Sequence, residues 1–239
     1  MVDKLTPEKI EEAAKHFENI QKGKVLIKPE EKTVDDKLKD MHEYLKKKDP
    51  ETYPLIPPTD PRLLMKIAPF TDDMLKEHDF KDRQELVEAM FLVMKKFGGI
   101  GLTCNQVGLP FNMFVAGGHQ GIEKGMSIAM FNPMIVSVGE EKLRMKEGCL
   151  TYPFMFIDIE RPRKCVMKYE DKDGNTQEAH LDGMMSRICQ HEYDHTIGRN
   201  FTEGVSKLKL DRAKKKALKE IDRLKRYNNI NKILDKNQT

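Results

Sequence analysis

A chain of 239 residues is long enough for one domain with a full core and an appendage, and too short for two large domains. Its 42 basic and 39 acidic residues nearly cancel to a net charge of +3, so the overall charge balance neither requires nor excludes nucleic acid. No apolar run reaches the roughly 20 residues that cross a bilayer, and the acidic N-terminus differs from a targeting signal. The sequence therefore predicts a cytoplasmic chain with no membrane segment.

The first 52 residues contain two amphipathic helical patterns. One pattern begins after Thr6-Pro7, and the other begins after Thr33 and stops at Asp49-Pro50. Their apolar positions are Ile10, Ala13, Phe17 and Ile20, then Val34, Leu38, Met41 and Leu45. We expect residues 1–52 to form a helical extension, which is either an arm with no site of its own or a partner-binding or regulatory segment.

A Pro-rich segment, residues 53–70, marks the boundary of the main domain, residues 53–239, because its prolines cannot continue a helix. A helix is predicted around residues 83–97, then a glycine loop at 98–110 and β-rich runs at 111–117 and 129–139. Two more strands, 164–171 and 175–181, are joined through Asp173-Gly174, a pair suited to a tight hairpin turn. Helices are expected around 183–196 and from about 207 to 227.

The stretch HEYDH, residues 191–195, forms an HExxH motif within the helix predicted at 183–196. Four residues advance about 400° around a helix, so His191 and His195 share one face and can reach one cation. Glu192 flanks that cation and is placed to act as a general base. The alternative, a chance HExxH on a polar surface, is opposed by the apolar residues around the motif. These are Met184, Ile188, Cys189 and Ile197.

Two histidines leave a catalytic metal one protein ligand short. The carboxylates that follow His195 lie in or before a Lys-rich helix, and no histidine follows it. The four cysteines form no CxxC pair, so we expect free thiols, with one as a possible metal ligand. Cys165 and Cys189 are embedded in apolar runs, whereas Cys149 lies at a predicted strand edge and is the best candidate for that ligand.

Three stretches, GIGLTCNQ, EGCLT and QHEYDHTIG, resemble in the same order the three motifs of the peptide deformylases, GxGLAAxQ, EGCLS and QHExDHLxG. The resemblance covers roughly residues 53 to 227 and excludes the segment before Tyr53. It implies a metal-dependent hydrolase that removes the N-formyl group from formyl-methionine of newly made polypeptides and releases formate. The fold expected is α+β, with mostly antiparallel sheets around a central helix that carries HExxH, a C-terminal helix and the N-terminal extension.

The resemblance implies a role for each motif residue. It makes Cys149, His191 and His195 the ligands of one divalent metal and Glu192 the general acid and base. Fe(II) is favoured by the resemblance, although two imidazoles and a thiolate also accommodate Zn(II), Ni(II) or Co(II).

The same resemblance makes the side chain of Gln106 and the backbone N–H of Leu150 the donors to the oxyanion. It also predicts an ion pair between Glu147 and Arg161 that holds the cysteine loop. The alternative to this ion pair is that Glu147 is an ordinary exposed charge.

The glycine loop and the HExxH helix supply the predicted substrate contacts. Gly99 and Gly101 let the backbone approach an extended peptide, which would pair with it as an added strand. Ile100, Met184 and Ile188 are expected to line an apolar pocket for the methionine side chain.

This chain departs from the family motifs at four positions, and each replacing side chain is modest in volume. Thr103-Cys104 replaces two alanines, Thr151 replaces serine and Thr196 replaces leucine. Cys104 is either a packed small residue or a second thiol near the metal. Preference for residues beyond formyl-methionine stays open, because the segment around Phe156 varies in the family.

Residues 206–239 contain twelve Lys or Arg and four acids along an apolar stripe. Leu210, Ala213, Ala217, Ile221 and Leu224 form this stripe. The simple interpretation is a solvated basic face over a docked helix. The resemblance suggests a ribosome contact through this helix, and we expect no specific recognition of nucleic acid.

Two rival functions are distinguishable by experiment. An HExxH endopeptidase would cleave unformylated peptides and keep its metal after Cys149→Ala substitution. A non-enzymatic RNA- or ribosome-binding module, stabilised by a metal or by its basic charge, would bind ribosomes without releasing formate.

Overall fold

A computed structural model describes residues 53–236, so both helical patterns predicted within residues 1–52 lie outside the described residues. Four α-helices occupy this part of the chain, named α1 (Asp73–Glu77), α2 (Arg83–Lys96), α3 (Gly183–Thr196) and α4 (Lys207–Lys236). Short 3-10 helices span Pro61–Leu64, Cys104–Val107 and Glu123–Gly125. The strands are β1 (Gly101–Thr103), β2 (Met113–Gly117), β3 (Ser127–Val138), β4 (Lys142–Cys149), β5 (Tyr152–Pro162), β6 (Lys164–Glu170) and β7 (Thr176–Asp182).

Five strands form an antiparallel sheet in the order β1-β2-β3-β6-β7, with β1 at one edge. Strand β2 is buried along its whole length because helices cover both faces. Its residues alternate between the faces, so Met113 and Val115 join the core beside α2, while Phe114 and Ala116 join the core beside α3. The sheet therefore separates two apolar cores.

Strands β4 and β5 form a second antiparallel sheet, a hairpin closed by Leu150 and Thr151. Its pairing shifts between Gly148 and Cys149, which places the cysteine at a bulge beside the turn. One face packs with α4 in a third apolar cluster. The buried members of that cluster are Met155, Ile157, Phe201, Ala213 and Ala217. Helix α4 therefore docks through residues of the predicted apolar stripe.

The antiparallel sheets and separate helices make the fold α+β, as predicted. Helices α2 and α3 occupy nearly the predicted residues, and α4 extends beyond the predicted end at residue 227. No helix within residues 53–236 combines the length and apolar character that a membrane crossing needs.

Two local predictions differ from the structure. The glycine loop contains the short strand β1 and a 3-10 helix, because residues 101–103 pair with β2. The turn at Asp173-Gly174 is longer than a two-residue hairpin, since pairing ends at Glu170 and Thr176. Asp171 organises that loop by accepting hydrogen bonds from the N–H groups of Asp173 and Asn175, each 2.9 Å long.

Candidate metal centre

Three potential metal ligands converge where the end of β4 meets α3. The ligand atoms of Cys149, His191 and His195 all lie within 4.8 Å of one another. Cys149 Sγ is 3.3 Å from His195 Nε2. One helical turn brings the two imidazoles together, and the bulge at the end of β4 brings the thiol to them. The structure therefore assembles the three residues that sequence analysis had singled out.

Glu147 lies behind this cluster and accepts four hydrogen bonds or ion pairs. Arg161 Nε and Nη2 donate to it at 2.7 and 3.1 Å, and Arg187 Nη1 forms a short ion pair. His191 Nδ1 lies 3.1 Å from Glu147 Oε2 and donates to the carboxylate. The opposite ring nitrogen of His191 is thereby left to face Cys149 and His195, an arrangement typical of metal-binding histidines.

The charge of Glu147 is fixed by these partners. Burial alone would raise the pKa of this carboxyl, but the hydrogen bonds from His191 and Arg161 outweigh it and lower the pKa to about 2. Glu147 is therefore an anion at every physiological pH, with only 6% of its surface exposed. A buried anion of this kind requires the paired cations that surround it.

The contact between Cys149 and the two histidines favours a thiolate beside a charged imidazole. Burial opposes ionisation of Cys149, but the charge of His195 and hydrogen bonds from both histidines hold its pKa well below the usual range. Burial likewise opposes the charge on His191, yet hydrogen bonds to Cys149 and Glu147 raise its pKa to about 10. A metal ion needs the thiolate and a neutral imidazole, so its binding would displace the proton from His191.

Glu192 is 96% buried next to this cluster, and β1 contacts its carboxylate. Thr103 Oγ1 donates to Glu192 Oε2 at 2.8 Å. Gly101 faces the other oxygen so closely that an added Cβ would be 2.9 Å from Glu192 Cδ and 2.8 Å from Ile188 Cγ2. Only glycine leaves room for the carboxylate at position 101.

The amide of Gln106 faces the cysteine. Its Oε1 accepts the N–H of Thr103 at 2.8 Å, which fixes the orientation of the amide group. Its Nε2 donates to Thr151 Oγ1 at 2.9 Å and to Cys149 Sγ at 3.4 Å. Leu150, next to the cysteine in the hairpin turn, lines the same pocket as Gln106.

A pocket of about 560 Å³ opens onto these groups. It is lined by all five residues expected to bind substrate, Gly99, Ile100, Gly101, Met184 and Ile188. Cys149, His191 and Glu192 form part of its wall. The rim carries exposed aromatic rings at Phe154 and Phe156. Because β1 is an edge strand, the pocket also lies beside an open strand edge.

Cys104 is not a second thiol of this site. Its side chain belongs to the core beside α2, where Sγ is 3.6 Å from Met113 Sδ. Burial raises the pKa of the Cys104 thiol, so it stays protonated. The packing interpretation of this position is therefore the right one.

Sequence analysis missed Arg187 and Asp194, which attach the hairpin to α3. Arg187 Nη1 contacts Glu147 and donates to the carbonyl of Ile159 at 3.2 Å. Asp194 Oδ2 accepts from Arg161 Nη1 at 2.8 Å. The available signal was an arginine one turn before His191 on an apolar helix, where a buried guanidinium requires an acidic partner.

The donor set fits a first-row transition metal, because two imidazole nitrogens and a thiolate converge with a buried carboxylate beside them. An HExxH helix with this third ligand defines the class of metal-dependent hydrolases. Residues 54–211 match the family model described as polypeptide deformylase. The chain belongs to this family, which confirms the resemblance found in its three motifs.

Individual relatives support the assignment. The chain is 35% identical over 173 residues to the peptide deformylase of Zymomonas mobilis, covering 70% of this chain and 93% of that protein. A crystal structure of peptide deformylase from Ehrlichia chaffeensis is 31% identical, with a TM-score of 0.60 over 70% of this chain and 94% of its own. The enzyme from Synechococcus elongatus, in complex with actinonin, is 28% identical with a TM-score of 0.60 and covers 69% and 86% of the two chains.

Proposed function

We propose that this protein hydrolyses the N-formyl group of formyl-methionine at the start of newly made polypeptides. The convergence of Cys149 with both histidines of the HExxH helix, at the wall of a pocket, carries this proposal. Membership of the polypeptide deformylase family supports the same reaction. The formamide C–N bond breaks, a new C–O bond carries the water oxygen into formate, and the peptide leaves with a free amine.

Cys149, His191 and His195 would hold one divalent metal in this proposal. When bound, the metal supplies Lewis-acid activation of water near neutral pH and polarises the carbonyl group. Zn(II), Ni(II) and Co(II) suit this donor set, and we propose Fe(II) as the native metal because of the family resemblance. An iron–thiolate site predicts formate release that is lost on exposure to air and protected when Ni(II) or Co(II) is loaded instead. Equal air stability with every metal would contradict Fe(II).

Glu192 acts first as general base and then as general acid. Burial raises the pKa of its carboxyl above the ordinary value, although the neighbouring charges of His191 and His195 lower it. A raised pKa brings the carboxyl closer to neutral pH, where one group can both accept and return a proton. Glu192 takes a proton from the attacking water and gives it to the nitrogen of the leaving amine.

Gln106 and Leu150 stabilise the negative oxygen of the tetrahedral intermediate. The Gln106 amide is held in place through Thr103 and Thr151, so its Nε2 stays directed toward the cysteine side of the pocket. The backbone N–H of Leu150 would supply the second donor from the hairpin turn. Removal of one such donor typically lowers the rate by about 10²-fold or more.

The substrate backbone would bind along the open edge of β1. Gly99 and Gly101 carry no side chain that would separate the peptide from this edge, and an added Cβ at Gly99 would overlap Leu150, with Cδ1 at 2.7 Å. The apolar side chains of Ile100, Met184 and Ile188 line the pocket and would contact the methionine side chain. A formyl carbon bears only hydrogen, so a narrow site admits it and excludes larger acyl groups.

The direct test measures formate release from a formyl-Met peptide, with metal content determined on the same sample. We expect release that stops after complete metal removal and returns on reloading. Glu192→Gln should keep its metal and lose about 10²- to 10⁴-fold in turnover, whereas Cys149→Ala should lose both metal and activity. An exposed acid on the same protein, Glu203→Gln, serves as the control.

Three outcomes would overturn this proposal. Turnover by the metal-free protein would exclude metal catalysis, and full activity of Glu192→Gln would exclude the general-base role. Cleavage of unformylated peptides would indicate an endopeptidase instead.

The remaining proposals concern the parts around the site. We propose that α3 is the central element between the two sheets, that residues 53–239 form the catalytic domain, and that residues 1–52 are an added helical extension. We also propose that the protein acts in the cytoplasm, where polypeptides emerge from ribosomes, and that the basic face of α4 contacts the ribosome. The density of Lys and Arg in α4 supports this contact.

A further inference from the structure

Strand β1 presents two residues to the general base. Residues 101 and 103 point to the same face of the strand, toward α3, while Leu102 points into the opposite core. Gly101 leaves space beside Glu192 Oε1, and Thr103 reaches Glu192 Oε2. One face of a three-residue strand therefore contacts both oxygens of the carboxylate.

The Thr103 hydroxyl has two potential acceptors, and both belong to Glu192. It lies 2.8 Å from the side-chain oxygen Oε2 and 3.0 Å from the main-chain carbonyl oxygen of the same residue. The single hydroxyl proton lies between these acceptors with the carboxylate oxygen the nearer one, so it restricts the side-chain torsions of Glu192. Both residues are buried, with Thr103 fully inaccessible, so bulk water does not compete for these bonds.

The same residue also orients the oxyanion donor. The Thr103 N–H donates to Gln106 Oε1, which leaves Gln106 Nε2 facing Thr151 and Cys149. Any residue at position 103 except proline supplies this N–H, whereas the bond to Glu192 needs a side-chain donor, here the hydroxyl. The family motif has alanine at this position, so the hydroxyl is a feature of this chain.

We propose that Thr103 is a positioning residue whose hydroxyl holds the Glu192 carboxylate in its proton-transfer orientation. The inference rests on the proposed function, because it concerns the general base of that reaction. Proton transfer depends steeply on the position of the base, and a displacement of about 1 Å can lower the rate about 10²-fold. Loss of the hydroxyl should therefore lower kcat without weakening substrate binding.

Three substitutions distinguish the effect of the hydroxyl group from the effect of side-chain packing. Thr103→Val keeps the shape of the side chain, removes the donor and leaves no space for a replacement. Thr103→Ala opens space in which a water molecule can donate to Glu192 instead. Thr103→Ser keeps the hydroxyl and removes only the methyl group. A packing role would make serine and alanine similar, whereas a positioning role makes serine resemble threonine.

The experiment measures kcat and KM for formate release together with metal content, Tm and the crystal structure of each variant. We expect kcat to fall about 10- to 100-fold in Thr103→Val and less in Thr103→Ala, with kcat restored to within about threefold in Thr103→Ser. KM should change less than about threefold and metal content should stay constant. The Glu192 side chain should leave its wild-type position in Thr103→Val and keep it in Thr103→Ser.

Wild-type kcat in Thr103→Val, or an equal loss in Thr103→Ser, would overturn the inference, as would an unmoved Glu192 in the valine variant. If Thr103→Val fails to fold, the comparison of serine with alanine gives the same decision. Failure of the wild-type protein to release formate would instead reject the proposed function. The two failures are therefore distinct.

Discussion

At the scale of single residues, Glu147 joins the metal centre to the scaffold. It accepts from Arg161 on β5 and from Arg187 and His191 on α3, so one carboxylate connects the hairpin to the helix that holds both imidazoles. The pair with Arg161 was predicted from the resemblance to the family, and the structure contains it. The local sequence does not reveal Arg187, because that contact depends on how the hairpin packs against α3.

The pKa of Glu147 predicts how stability depends on pH. Its folded value of about 2 lies below the ordinary 4.5, so its stabilising contribution is complete above about pH 4.5 and is lost as pH falls toward 2. The contribution is roughly 3 kcal/mol. Urea unfolding should therefore show Glu147→Gln as less stable than wild type near neutral pH, with the difference shrinking between pH 4.5 and 2.

Glu141→Gln provides the matched control, because Glu141 pairs with Arg163 on the surface and exposed pairs contribute little. A difference between wild type and Glu147→Gln that stays constant over this pH range would contradict the assigned role of the buried carboxylate.

At the scale of secondary-structure elements, β1 contacts the Glu192 carboxylate through Gly101 and Thr103, and we propose that the substrate backbone binds along its edge. Sequence patterns predicted it as a loop, because three residues carry no periodicity and the strand exists only through pairing with β2. The β4–β5 hairpin was also missed. Its outward residues are mostly charged, and its turn, Leu150-Thr151, lacks the Asn-Gly or Asp-Gly signal of short hairpins.

A single methyl group tests the close approach of β1 to Glu192. We expect Gly101→Ala to lower formate release about 10²-fold or more, because its Cβ would overlap the carboxylate and displace it. Gly139→Ala is the matched control, since its Cβ would meet Lys164 Cβ at an ordinary 3.4 Å. Steady-state kinetics of formate release by both variants gives the comparison. An active Gly101→Ala enzyme would contradict the proposed position of Glu192.

Helix α4 stabilises the domain through its apolar stripe. Ile221 is fully buried, so Ile221→Ala should lower the free energy of unfolding by about 2 to 5 kcal/mol through lost packing. Leu208 lies on the same helix and is 61% exposed, so its side chain points outward. Leu208→Ala should therefore change stability by less than about 0.5 kcal/mol. Equal losses in chemical denaturation would show that the helix is not docked as described.

At the scale of the whole molecule, helix α3 contacts both sheets, and the candidate metal centre lies where the two sheets approach this helix. The α+β class and the motif residues followed from the sequence, because each depends on local periodicity or on residue identity. Several lining residues of the pocket were predicted as well, but its shape was not, because the β1 edge, the hairpin and α3 form it together. Only packing brings those elements together.

The proposed ribosome contact predicts a salt-dependent interaction through α4. Reversing the charge of two exposed residues, Lys215→Glu with Lys219→Glu, should weaken cosedimentation with ribosomes and reduce its salt sensitivity. The same double reversal at Lys142 and Lys172, which are exposed and lie outside α4, serves as the control. Unchanged cosedimentation of the α4 variant would contradict the contact. Formate release by this variant should equal that of the wild type in either case.

The ligand set of the metal tests the central claim most directly. X-ray absorption at the metal edge of the loaded protein should show one sulfur and two imidazole neighbours from the protein, and Cys149→Ala should remove the sulfur together with tight metal binding. A wild-type spectrum without a sulfur neighbour, or one that keeps it after Cys149→Ala substitution, would contradict the assignment of Cys149, His191 and His195 as the metal ligands.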